Sequence, residues 1–499
     1  MSPSNLILLL HAVLGGWLGF YSPVAGLVAL VALVATTSGL YWHAGIGNLP
    51  TVEAYLLFLM LGALARRGAP RRKVAGQPQP PELAYAIRRW AAVLLLTFAV
   101  STAVALARDA TAGDPEEATA PSLFLAHLLM YSAPGLAGQL RWVFVAAVGP
   151  ALLLLGIRNL PGEVHRRSLL RGLLAGLGLA ITVPAIQAIW FNPWARPDLG
   201  QEAGVGVSGL FHDPHSYAAY LVLGIGVAAG VSRGSFRRGA RSEGWGLLAL
   251  AFGAFVALLS TNSRAGLIGA MIALIVMIAL MPSNRRTDKL RPPGTRKRFA
   301  IAAATLLVAS TLVMAWPTGR GIARDGWTRI SGARMWEPLR PDVEIWHMTS
   351  VRVRQALWGK ALTIIAQRPI WGAGPDGFRR ESVPLTDTGG ELSERSHTEN
   401  AHNYFLQVGA EYGVPALAAF LVLVGMVVAI PGRAARRCAD PLQRGLLAGI
   451  CGGLAGFLSI SLTAHPMLLA ETQAVFWSAA ALGVATAMSS PGREDRGDR

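Results

Sequence analysis

Apolar runs of about 18 or more residues recur from one end of this chain to the other, and nothing constrains its fold more. The stretches 265–284 and 412–432 carry no charge at all. Inside a bilayer each backbone N–H and C=O must be satisfied by its own segment, so such runs become helices. The pattern predicts spans at about 5–41, 49–65, 90–107, 141–157, 170–191, 209–231, 244–261, 264–282, 299–316, 406–430, 445–463 and 467–488. The first is too long for one simple span, and Pro23 can divide it, so the count is twelve or thirteen. The expected fold class is all-α: a polytopic transmembrane helix bundle of about 12 spans with one long external loop containing short helices.

Composition supports this reading, with 53% hydrophobic and only 15% charged residues against about 25% in soluble domains. The net charge of +17 sits in short blocks between apolar segments, such as SNRRTDKLRPPGTRKR at 283–298. That arrangement is a topology signal, basic loops facing the cytoplasm, and not a nucleic-acid surface. Basic loops alternate with acidic or mixed ones from the second span onward, and twelve spans put both termini in the cytoplasm. No basic residue precedes Arg66, so the first apolar stretch lacks a signal peptide's charged start and is expected to stay in the protein. Cys438 and Cys451 are too few for a disulfide framework or a zinc site.

The expected organisation is transmembrane helices over 1–316, a long external loop over 317–405, further transmembrane helices over 406–488 and a cytoplasmic tail at 489–499. Within the loop, TSVRVRQALWGKALTIIAQRP predicts a helix stopped at Pro369, followed by the glycine-rich turn IWGAGPDGF.

Polar residues of a membrane protein mark its working parts. Arg264 stands between two spans in a turn too short for an ordinary loop, where a guanidinium either snorkels or grips phosphate. The stretch ERSHTENAHNYFLQVGAEYG crowds polar side chains at the mouth of a long apolar helix. There Asn403 or Asn400 can cap the helix, Gln407 and Glu411 follow on one face, and His402 can serve as a general base. Arg354 and Trp358 share a helix face with Arg352 nearby, as a pyrophosphate site or a solvated surface would have. His212, Asp213 and His215 head another span, where Asp213 reads as a cap rather than a metal ligand. Arg196 is a further external arginine, and His465 is expected to cap or pack at the last external turn. No phosphate-binding loop, CxxC or HExxH element occurs, and no acidic DxD cluster lies in an early external loop.

The order of these elements resembles the O-antigen ligase and polymerase superfamily over about residues 200 to 488. Ser263-Arg264 comes first, then Arg354 and Trp358, then Pro369, Gly372, Gly374 and Phe378, then HNYFLQ…EYG from His402 to Gly413. His465, Pro466, Phe476 and Trp477 close the series. The resemblance implies a GT-C-like, metal-independent, inverting glycosyltransferase of the bacterial cytoplasmic membrane, without a cofactor and working at the outer face. Its donor would be an undecaprenyl diphosphate-linked glycan, and its acceptor a lipid core, a glycan or a protein. Ala416, three residues after Gly413, leaves ligase and polymerase both open. It further implies that His402 takes the acceptor's proton and that Arg264, Arg354, Arg352 or Arg196 bind the diphosphate. Asn403, Gln407, Glu411 and His215 would support them. The alternative is a transporter or flippase of lipid-linked glycans, which calls for charges along a continuous path through the spans. Here the spans are nearly free of charge and the polar residues gather at one face.

Overall fold

The computed structural model describes residues 3–43, 51–68, 82–111, 135–190, 211, 213–261, 263–281, 349–382 and 400–489. The expected span at 299–316, Arg196, His212 and the polar stretch at 384–395 lie outside the described residues, as does the side chain of Arg352. The helices are α1 (Pro3–Tyr21), α2 (Pro23–His43), α3 (Thr51–Gly68), α4 (Glu82–Thr111), α5 (Gly135–Asn159), α6 (Glu163–Trp190) and α7 (Pro214–Arg238). They continue as α8 (Arg241–Ser260), α9 (Arg264–Leu280), α10 (Thr349–Gln367), α11 (Gly377–Ser382), α12 (Tyr404–Arg437), α13 (Pro441–Ile460) and α14 (Ala470–Met488). A 3₁₀ turn at Pro466–Leu468 precedes α14. Among the described residues, six stretches are long and apolar enough to cross a membrane: Glu82–Arg108, Gln139–Asn159, Pro214–Arg238, Arg241–Ser260, Tyr404–Arg437 and Pro441–Ile460.

Pro23 divides the first apolar stretch into two helices. Its ring cannot continue α1, and the Ser22 hydroxyl accepts the Ala25 N–H to start α2. Gly15 and Gly19 of α1 press on Tyr55 and Leu59 of α3, so these two helices run parallel, and Arg66 donates to the Tyr21 carbonyl at their common end. Pro3 therefore lies at the end of the bundle that carries Thr51, whereas Met488 lies at the other. The break at Pro23 bears out the two-helix alternative for this stretch and puts Pro3 and Met488 at opposite ends, where a twelve-span count would have put both termini together.

Tight crossings hold the centre. Along α7, Gly226, Gly230 and Gly234 meet Gly453, Gly449 and Leu442 of α13, running antiparallel. Between apolar segments in lipid, close backbone approach supplies the dispersion attraction that water would otherwise supply by exclusion. A β-carbon on Gly230 would stand 2.4 Å from the Gly445 carbonyl oxygen and 2.6 Å from the Gly449 Cα. Gly230→Val is accordingly expected to separate α7 from α13 and lower the melting temperature in detergent by several degrees, as a core overpacking of about 1–3 kcal/mol would. A melting temperature equal to wild type would count against this contact as a determinant of the fold.

The glycine-rich turn docks where α12 breaks. Gly413 has φ 84° and ψ 172°, a conformation nearly confined to glycine, and separates residues 404–412 from the longer apolar part. The N–H groups of Ala373 and Gly374 donate to the carbonyls of Ala410 and Glu411, and the Val414 N–H donates to the Pro369 carbonyl. A β-carbon on Gly413 would lie 2.1 Å from the Ile370 carbonyl oxygen. Gly413→Ala is expected to cost at least about 3 kcal/mol, from strain and clash together, and to reduce the yield of folded protein after extraction. Recovery and melting at wild-type levels would contradict this role.

Candidate functional site

Helix starts converge at one end of the bundle. Asp213 caps α7, Ser263 caps α9 and Asn403 caps α12, each accepting first-turn N–H groups with its side-chain oxygen. The Tyr404 N–H donates to the Ser461 carbonyl, which ties the start of α12 to the end of α13. The ends of three long helices thus point their partial positive charge toward one region.

His215 bridges two of these starts, its Nδ1 lying 3.0 Å from the Ser263 hydroxyl. That hydroxyl also accepts the Gly266 N–H at 3.1 Å, so it joins the imidazole to the first turn of α9. Arg264 follows Ser263 directly and is exposed in the first turn of α9. Arg354 of α10 and His402 both act electrostatically on His215, so they belong to the same cluster. Helix α10 is docked by Leu357, Ala361 and Ile364, buried with Phe378, Ala401 and Ala410.

His402 has φ 45°, in the left-handed region that is costly for a side-chain-bearing residue. Its surroundings fix it. The His402 N–H donates to Asn400 Oδ1 at 2.9 Å, and the preceding Ala401 N–H donates to Gln407 Oε1 at 2.8 Å. Asn403 Oδ1 accepts the N–H groups of Phe405 and Leu406 at 3.0 and 3.1 Å. Gln407 Nε2 donates to Glu411 at 2.8 Å, and the carboxylate also accepts the Phe378 N–H from the glycine-rich turn. Gln407 and Glu411 therefore hold the backbone before α12 and the turn beside it, so their support of His402 runs through the main chain.

The His402 ring meets the His465 ring edge to face, centroids 5.0 Å apart. His465 stands at the start of the 3₁₀ turn but makes no side-chain cap there, so the capping expectation fails and the packing one holds. Asp213 Oδ1 accepts the N–H groups of His215 and Ser216 at 2.7 and 3.0 Å, and its other oxygen accepts the Ser216 hydroxyl proton. Burial alone would push its carboxyl up, but His465, the Ser216 hydroxyl and His215 hold it below its usual range.

The sequence reading missed the buried pair of Glu53 in α3 and Arg141 in α5, joined at 3.1 Å. It also missed Ser101 and Arg108 of α4, which donate to the carbonyls of Trp371 and Ala373 and fasten the glycine-rich turn. A glutamate just inside an apolar run was the available signal for the first. The second had none, because main-chain carbonyls accept from any donor.

Fold and site together define a multi-pass helical membrane protein whose histidines and an arginine gather at one end of its bundle, among helix starts. Residues 248–421 match the O-antigen ligase family model. This domain, which spans Ser263, Arg264, Arg354, the glycine-rich turn, His402 and Gly413, supports the O-antigen ligase/polymerase superfamily and a ligase-like membrane glycosyltransferase family. No curated protein matches the chain.

Proposed function

We propose that this protein transfers a glycan from an undecaprenyl diphosphate carrier to an acceptor hydroxyl at the outer face of the bacterial cytoplasmic membrane. The observation that carries the reading is His402, held in the left-handed region and clustered with His215 and Arg354 among converging helix starts. In the reaction the acceptor oxygen bonds to the anomeric carbon as the bond from that carbon to the diphosphate breaks. The electron pair leaves with the diphosphate, His402 takes the acceptor's proton, and in-line displacement inverts the anomeric centre. Arg264 and Arg354, with Arg352 and Arg196, neutralise the charge that grows on the leaving group, and the helix starts add their dipoles. Asn403, Gln407 and Glu411 keep His402 in place, and His215 joins the starts of α7 and α9.

The arginines at the far end of the bundle support the orientation. Arg237 and Arg238 close α7, Arg436 and Arg437 close α12, and Arg158 closes α5, all away from the site. With that end in the cytoplasm the site faces the exterior. In the same reading residues 1–316 and 406–488 form the membrane bundle, 317–405 covers the site and 489–499 is a cytoplasmic tail.

The test is transfer by the purified protein from undecaprenyl diphosphate-linked glycan, with EDTA present and lipid-core, glycan and protein acceptors offered one at a time. Product is expected with one acceptor class, which also separates ligase from polymerase. No transfer with any acceptor, together with movement of the donor across liposome leaflets, would establish the flippase instead.

A further inference from the structure

The segment before α14 contributes a residue to this site that lies outside the matched family domain. We infer that His465, whose ring contacts that of His402, is the positioning residue for His402 and receives the proton that His402 takes from the acceptor. The inference rests on the transfer reaction proposed above. The geometry begins with the two rings, which meet edge to face with centroids 5.0 Å apart. His465 also acts electrostatically on Asp213, whose oxygens are anchored by the first turn of α7. The backbone fixes the far partner equally: His465 is followed by Pro466, and its carbonyl accepts the Leu468 N–H at 2.9 Å. Thr472 on α14 donates to the Pro466 carbonyl, which locks this turn against the helix start.

Physical reasoning supplies the order Asp213, His465, His402. A base that gains a proton in a site lined with arginines meets repulsion; in this cluster Arg354, His402 and Asp213 act on His215, and His465 acts on Asp213. Of these only Asp213 is an anion, and it acts on His465. Asp213 therefore supplies the counter-charge for a proton carried on His465. The step balances simply. The His402 N–H bond breaks, a new N–H bond forms on His465, and His402 returns neutral for the next acceptor. His465 then gives the proton to water at the mouth of the site.

Two variants test this. His465→Gln keeps a polar side chain but cannot accept the proton, and Asp213→Asn keeps an equally good helix cap while removing the charge. His465→Gln is expected to lower kcat about 30-fold, below the full value of a lost general base, with donor KM within twofold. Asp213→Asn is expected to lower kcat about tenfold. It should also move the acidic limb of the pH–rate profile to lower pH, because a neighbouring carboxylate favours the charged imidazole and its loss makes the pair easier to deprotonate. Wild-type kcat in a folded His465→Gln variant would overturn the inference. So would an unchanged limb and kcat in Asp213→Asn, which decides the matter if His465→Gln fails to fold. Absence of transfer by the wild-type protein would instead overturn the proposed function.

Discussion

His402→Ala is expected to lower glycan transfer by about 10²–10⁴-fold, the usual contribution of a general base. The loss should fall on kcat, with donor KM nearly unchanged, because the proton moves only as the acceptor oxygen attacks. Alanine alone is an ambiguous probe here, since at φ 45° it faces backbone strain that histidine shares and glycine does not. His402→Asn resolves this. Asparagine tolerates the left-handed region well and cannot act as the base, so it should retain the fold and lose the activity. Equal losses in the two variants, with melting temperatures near wild type, would assign the effect to the imidazole. An active His402→Asn protein would show that the backbone shape and not the ring matters, and would remove the proposed base.

The fold was legible because the bilayer imposes it. Apolar runs placed nearly every described long helix, and the alternation of charge placed their ends. The first stretch left two readings open, because a proline alone kinks a helix as readily as it ends one, and the Ser22 cap decides for two helices. In the site, Asn403 and Asp213 were recognisable as caps, since their side chains bond within two or three residues. Local bonds leave a local spacing. The contact of His465 with His402 was not recognisable, because the two lie 63 positions apart and Asp213 lies far earlier still. Gln407 and Glu411 were seen as neighbours of His402, but their work on the Ala401 N–H and the glycine-rich turn appears only when the segments are brought together.

Arg354→Ala is expected to reduce kcat by about 10²–10³-fold, comparable to losing one preorganised group aimed at a developing oxyanion. Arg354 lies one helical turn before Leu357, which is buried against the glycine-rich turn and the start of α12, so its guanidinium is carried on a docked helix. Its field reaches His215, and through Ser263 the same cluster leads to Arg264. A guanidinium meets two phosphate oxygens at once whereas an ammonium meets them as a point charge, so Arg354→Lys should recover only part of the lost rate. The two variants should also weaken inhibition by the product carrier, undecaprenyl diphosphate, in the same order, alanine more than lysine. That second readout separates diphosphate binding from a purely structural role, which would disturb the melting temperature and leave product inhibition unranked. Were Arg354→Ala to turn over at the wild-type rate, α10 would be a solvated surface helix and the leaving group would have to be held by Arg264 and the helix starts.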